Sequence, residues 1–179
     1  IPRIEINHNP TDSLGPESKV AAQIDRLNSQ FAGLESFSVV IESGIQDTFL
    51  HSRYLDEVVE LQRFIEGLDP GISATSFGDY LTLLNNAFLE SDDAGLPQTN
   101  DEIAELMIFL DHDRVRTYVN EDYSRTRIIV RHNIASTKQL KGLLRTIRAH
   151  IDQNLDRGLT AQITGDSMLS LSATNSMIF

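Results

Sequence analysis

The sequence has 179 residues, 40% of them hydrophobic, which is enough for one packed domain or a domain with an insertion. It has no cysteine, which excludes disulfides, zinc–thiolate sites and thiol nucleophiles, and no window approaches the roughly 20 apolar residues that span a bilayer. Fifteen Lys and Arg residues stand against 26 Asp and Glu residues, and the net charge of −11 argues against a nucleic-acid partner.

The first third of the chain predicts a strand, a helix and a second strand. Residues 1–7 alternate between apolar and polar side chains, which is typical of a short strand. Apolar residues then recur with helical spacing at Val20, Ile24, Leu27 and Phe31, and Gly33 lies just past the end of this predicted helix. Residues 37–41, with the sequence FSVVI, favour a buried strand because β-branched residues pack well in sheets.

The middle of the chain predicts a strand between several helices. An amphipathic helix is expected over 52–68, and the turn Asp69-Pro70-Gly71 ends it. A strand is expected over 72–77, followed by a helix on which Leu81, Leu84 and Phe88 share one face. After a polar loop at 91–98, Thr99 and Glu102 form a capping-box pattern before a fourth helix with apolar residues at Ile103, Leu106, Met107 and Leu110.

The last third predicts two strands, the most regular helix of the chain and a final strand. Residues 115–119 and 126–132 are expected to be strands around a polar turn at 120–124. A second capping pattern at Ser136 and Gln139 precedes a helix over 137–155, whose core side includes Leu144 and Ile147. A strand is expected over 159–164, and the apolar end of the chain, 169–179, is expected to be helical or disordered.

The sequence contains an internal repeat. GISATSFGDYLTLL, which starts at Gly71, aligns without a gap with GLTAQITGDSMLSL, which starts at Gly158. Gly71, Ala74 and Leu84 meet Gly158, Ala161 and Leu171, and each copy follows a predicted strand and helix. Two strand–helix–strand units that share one sheet form a ferredoxin-like, split βαβ fold.

The predicted fold class is therefore α+β, with a four-stranded antiparallel sheet, two helices on one face and a helical insertion between the two halves. The expected organisation is a lead-in strand and helix at 1–35, a first βαβ half at 36–78, the insertion at 79–112, a second half at 113–165 and an exit segment at 166–179. Because the fold does not require the insertion, we expect function to concentrate there.

The residue patterns predict no catalytic site, no metal site and no cofactor. Asp111-His112-Asp113 resembles a set of metal ligands, but adjacent residues rarely converge on one ion, and a solvated loop is expected. Asp166 and Ser167 do not belong to a nucleophile-elbow motif. A hydrolase that uses a His and an Asp would need a pocket in which those side chains meet.

Two groups of residues are candidates for binding. Phe77, Tyr80 and Phe88 could line an apolar pocket or pack in the core. Lys138, Lys141, Arg145 and Arg148 form a basic stripe opposite the apolar side of the 137–155 helix, which could dock an anionic group or subunit or could simply face solvent. We single out Phe77, Tyr80, Phe88, Lys141 and Arg145 as candidates for a substrate path or a docking surface.

The order of these segments resembles that of an extracytoplasmic loop domain in exporters of the RND (resistance–nodulation–division) superfamily. The similar branch is that of the large-loop lipid and hydrophobe exporters, related to the mycobacterial membrane proteins and the hopanoid transporters. The segments that carry the resemblance are NPTDSLGPES, FAGLESFSVVIESG, YLDEVVELQRFIEGLDPGISATSFGDYLTLLNNAF, LPQTNDEIAELMIFL, VNEDYSRTRIIVR and LTAQITGDSML. The proline and helix of the insertion look more like the second large loop than the first.

The resemblance implies a non-catalytic porter domain, on the periplasmic side of the cell membrane, of a proton-driven exporter of hydrophobic or amphiphilic molecules or lipids. It also implies that the chain follows one transmembrane helix and that 166–179 leads toward the next. The implied partners are those transmembrane helices, the other large loop and the transported molecule, and the resemblance also allows a homo-oligomer. The alternative is a free-standing periplasmic module of the same fold that binds lipid or serves assembly.

Overall fold

A computed structural model describes residues 35–165, and the predictions for 1–7, for the Val20–Phe31 pattern and for 169–179 lie outside this range. Within it the chain forms four strands and five α-helices, three of which follow one another between the second and third strands. They are β1 (Glu35–Glu42), α1 (Ser52–Glu66), β2 (Ile72–Thr75), α2 (Phe77–Phe88), α3 (Asn100–Leu106), α4 (His112–Val115), β3 (Arg125–His132), α5 (Thr137–Asn154) and β4 (Thr160–Thr164), with 3₁₀ turns at Thr48–Leu50 and Met107–Phe109.

The sheet has the strand order β2-β3-β1-β4, and every neighbouring pair is antiparallel. The two halves, β1–α1–β2 and β3–α5–β4, each contribute one central and one edge strand, which is the arrangement of a ferredoxin-like split βαβ fold. The prediction of this fold class, with a helical insertion between the halves, is confirmed.

Both long helices cover the same face of the sheet. The buried side of β1 presents Phe37, Val39 and Ile41, and these side chains share one apolar cluster with residues of α1 and α5. The helix residues in this cluster are Val58, Leu61, Ile65, Leu140, Leu144, Ile147 and Ile151. Between the helices the Phe64 ring stacks on the His150 ring with 3.6 Å between centroids. The predicted burial of Leu144 and Ile147 is confirmed, with 9% and 0% of each residue exposed.

The insertion has its own apolar cluster. It contains Leu55 from α1 together with Phe77, Leu81, Ile103, Leu110, Val115 and Val119. The capping box that was predicted before α3 is present, because the Thr99 side chain accepts from the Glu102 amide and the Glu102 carboxylate accepts from the Thr99 amide. The helix is shorter than the apolar pattern suggested, since Met107–Phe109 continues it as a 3₁₀ turn.

Two predicted strands need correction. The strand predicted over 72–77 ends at Thr75, because Ser76 caps α2: its Oγ accepts from the Gly78 amide, and the Asp79 carboxylate accepts from the Ser76 amide at 2.8 Å. Phe77 is therefore the first residue of a helix.

The strand predicted over 115–119 is wrong. Asp111 caps the short helix α4, its carboxylate accepting from the amides of Asp113 and Arg114. Val115 and Val119 are both buried while Thr117 is exposed, which is the four-residue spacing of a helical turn rather than the alternation of a strand. Only Val119 makes a bridge, to Thr126.

Two glycine substitutions should change stability in opposite directions. Gly165 has φ +147°, and a Cβ there would lie 2.8 Å from the Phe37 Cα, so Gly165→Ala should lower the free energy of unfolding by more than about 1 kcal/mol. Gly142 lies inside α5 with open space around it, so Gly142→Ala should raise that free energy by roughly 0.5–1 kcal/mol. Urea denaturation checks both, and equal effects of the two variants would contradict the prediction.

Candidate interaction surface

The candidate metal ligands of the sequence do not form a cluster in the described part of the chain. Among residues 35–165 no group of three or more His, Asp or Glu side chains could hold a metal ion. Asp111 acts as a helix cap and pairs with Arg114 at 3.1 Å, and His112 and Asp113 are exposed on the first turn of α4. In the same range every helix is too short or too polar to span a bilayer.

The three aromatic candidates lie in different environments. Phe77 is fully buried in the cluster of the insertion. Tyr80 packs against the same cluster, and its hydroxyl oxygen accepts from the Asp111 amide at 3.3 Å. Phe88, at the end of α2, is 50% exposed and contacts Phe109 with 5.8 Å between ring centroids. The structure does not bring the three side chains into one pocket.

Phe88 belongs to an exposed apolar surface, which we call the aromatic patch. It consists of Phe88 and Leu89 at the end of α2 together with Ile108 and Phe109 from the 3₁₀ turn after α3. These four residues are 50%, 57%, 80% and 60% exposed. Large apolar side chains exposed side by side on a soluble surface are typical of a contact site.

The insertion that carries this patch is strongly acidic. Residues 79–113 contain no Lys and no Arg but nine acidic residues, all exposed: Asp79, Glu90, Asp92, Asp93, Asp101, Glu102, Glu105, Asp111 and Asp113. Glu90, Glu105 and Asp111 lie within four positions of a patch residue along the chain. The aromatic patch is therefore an apolar surface flanked by negative charge.

The basic candidates Lys141 and Arg145 lie one turn apart on α5. Arg145 is exposed and its Nε donates to the Lys141 carbonyl oxygen at 3.2 Å, while Lys141 is half-buried. Both belong to the helix layer of the sheet, whereas Phe77, Tyr80 and Phe88 are on α2. The two groups of candidates do not form a single site.

A second surface, absent from the sequence-based candidates, is the face of the sheet opposite α1 and α5. Along β3 it presents Arg125, Arg127 and Arg131, which are exposed, with the half-buried Ile129 between them. The half-buried Val40 of β1 pairs with Arg127 in register. We call this surface the arginine face. A surface cavity of about 270 Å³ adjoins it, lined partly by Val40, Arg125 and Arg127.

Two arginines of this face have polar partners. Arg125 pairs with Glu42 at 2.6 Å, and Arg127 donates to the Thr117 carbonyl oxygen. Residues 114–157 contain ten Lys and Arg residues against four Asp and Glu residues. Along the sequence, the insertion is thus net negative and the second half net positive.

A buried histidine provides a pH-dependent element. His132, at the end of β3, is 0% exposed; its Nδ1 accepts from the Ile134 amide at 3.3 Å, and its ring lies 5.7 Å from that of Phe37. Among the described residues its Nε2 has no hydrogen-bond partner. Burial lowers the pKa of His132, because the charged imidazolium would be desolvated.

Acidification should therefore destabilise the domain through His132. A group whose pKa is lower in the folded state adds stability above its unfolded pKa, about 6.5, and this contribution is lost as pH falls below it. The slope is at most about 1.4 kcal/mol per pH unit for one proton. In urea titrations from pH 7.5 to 5, His132→Phe should flatten this slope, whereas His112→Gln, on an exposed histidine, should leave it unchanged.

Sequence reasoning found Phe88 but missed its neighbours Ile108 and Phe109 and the arginine face. The apolar side of the predicted fourth helix, at Ile103, Leu106, Met107 and Leu110, leaves out Ile108 and Phe109, so the spacing was an available signal for their exposure. The alternation of Arg125, Arg127 and Ile129 with buried residues in a single strand was the available signal for the second surface.

No protein-family model and no curated protein matches this sequence.

Proposed function

We propose that the chain is a non-catalytic porter domain, on the extracytoplasmic side, of a proton-driven RND-superfamily exporter of hydrophobic or amphiphilic molecules. The observation that carries the proposal is the aromatic patch: its four exposed apolar residues, Phe88, Leu89, Ile108 and Phe109, all lie on the helical insertion of a ferredoxin-like domain. The order of sequence segments described above supports the choice of this superfamily.

The proposed contribution of the domain is mechanical rather than chemical. The sheet and its two helices share one continuous core, so they move as a rigid body. The insertion has a separate core and offers its apolar surface outward, where it packs on the other large extracytoplasmic domain or lines the route of the transported molecule. The protonatable groups that couple export to the proton gradient would lie in transmembrane helices of the full protein.

Single-cysteine cross-linking in the full-length protein tests this function. The described sequence contains no native cysteine, so Phe109→Cys introduces a unique thiol within it. We expect this thiol to cross-link to the other extracytoplasmic domain or to a photoreactive hydrophobic substrate. Ile45→Cys is the matched control, because Ile45 is apolar and 69% exposed but lies outside the insertion.

Two results would contradict the proposal. If the thiol of Phe109→Cys forms no cross-link and reacts with water-soluble reagents at the same rate as that of Ile45→Cys, the patch contacts neither the other domain nor the substrate. An open reading frame without apolar runs of about 20 residues on either side of this chain would remove the exporter and favour the free-standing lipid-binding or assembly module.

A further inference from the structure

The aromatic patch and the arginine face are complementary in chemistry. The patch is apolar and flanked by carboxylates, with no positive side chain between 79 and 113. The arginine face has an apolar centre formed by Val40 of β1 and Ile129 of β3. Three exposed arginines lie along β3. Oppositely charged surfaces with apolar centres favour a specific contact, since the charges fix the orientation and the apolar area supplies free energy.

We propose that the aromatic patch of one copy of this chain docks on the arginine face of a second copy. The two surfaces lie on different elements, the insertion and the central strands, so this contact is head-to-tail. A patch-to-patch dimer would place carboxylates against carboxylates, and a face-to-face dimer would place arginines against arginines. Both symmetric arrangements are therefore disfavoured by charge repulsion, and the association closes into a ring or continues as a chain of copies.

This inference rests on the patch being a contact surface, as in the proposed function, and it assigns the patch a second copy of this chain in place of the other large domain or the transported molecule. It does not depend on transport. Association of the purified 179-residue chain is measured without any membrane protein. If the chain does not associate, this inference fails, while the proposed function is still decided by cross-linking in the full-length protein.

The test uses two variants that each remove one side of the contact. The patch variant Ile108→Gln/Phe109→Gln replaces two exposed apolar side chains, and the face variant Arg127→Glu/Arg131→Glu reverses two exposed charges. Sedimentation velocity of the native chain should show mass rising with protein concentration, whereas each variant alone should stay monomeric. An equimolar mixture of the two variants should give a discrete dimer. The intact face of the patch variant can bind the intact patch of the face variant, and the dimer then has no intact surface to which a third copy could bind.

Two controls separate this contact from general effects of charge. Arg148→Glu/Arg157→Glu makes the same change in net charge at exposed positions on and after α5, and it should associate like the native chain. Raising the salt concentration from 0.1 to 1 M should weaken native association, since the screening length falls from about 10 Å to about 3 Å. Thermal melting confirms that each variant is folded.

Several outcomes would overturn the inference. A native chain that is monomeric at all concentrations would show that the patch has another occupant. A mixture that stays monomeric would exclude head-to-tail docking, and a face variant that associates normally would exclude the arginine face. If that variant also loses binding to vesicles containing anionic lipid, the arginine face belongs to a membrane surface instead.

Discussion

Replacing Phe77 with alanine should lower the free energy of unfolding by about 3–5 kcal/mol. Phe77 is 0% exposed and is the first residue of α2, where it packs with Leu81 and Ile103 and lies 6.2 Å from the Tyr123 ring, measured between centroids. Alanine removes the ring and leaves a cavity that the surrounding helices can close only in part. Urea denaturation followed by circular dichroism measures the loss.

The matched control lies at the other end of the same helix. Phe88→Ala removes the same side chain from a position that is 50% exposed, and it should change the free energy of unfolding by about 0.5 kcal/mol. Amide exchange should also accelerate more in α3 than in α5 for Phe77→Ala, because Phe77 belongs to the cluster of the insertion. Equal losses for the two phenylalanine variants would show that the core of the insertion has been misplaced.

Replacing Ile147 with alanine should cost about 2–5 kcal/mol, because this side chain is fully buried between α5 and the sheet. Leu144→Ala removes a side chain of the same cluster whose residue is 9% exposed, and its expected loss lies toward the lower end of that range. Alanine has a high helix propensity, so the loss of unfolding free energy in both variants measures side-chain packing and not the stability of the helix backbone.

Arg148→Ala is the control for Ile147, since Arg148 is the next residue on α5 and is exposed. Arginine and alanine have similar helix propensities, so the expected change is within about 0.5 kcal/mol. A loss for Arg148→Ala as large as that for Ile147→Ala would mean that the apolar side of α5 does not face the sheet.

The fold could be predicted because its two halves obey simple periodicities. The apolar spacing of α1 and α5, the β-branched run of β1 and the repeat that starts at Gly71 and Gly158 all indicated the same arrangement. The errors occurred at the two borders of the insertion, where short elements depend on side-chain caps. Ser76 and Asp79, and likewise Asp111, turn the backbone into a helix at positions where the apolar pattern alone suggested a strand.

The candidate surfaces could be predicted only in part, because exposure is a property of the tertiary structure. Phe77 and Phe88 are identical residues on the same helix, and only the packing of α3 and of residues 107–119 separates a core side chain from a surface one. The arginine face depends on which side of the sheet the helices cover. That side follows from the connections between strands, and one strand read alone does not reveal it.

The pairing of β1 with β4 also determines how the domain responds to mechanical load. β4 runs antiparallel to β1, Ser38 pairs with Thr164, and a Cβ on Gly165 would touch Phe37, so the polypeptide enters and leaves the described domain side by side. Tension applied between residues 35 and 165 therefore acts on one end of this ladder and opens its hydrogen bonds in succession, like a zipper. The same sheet pulled along its strands would load those bonds together, so the domain is weakest in the direction in which its own chain connections pull.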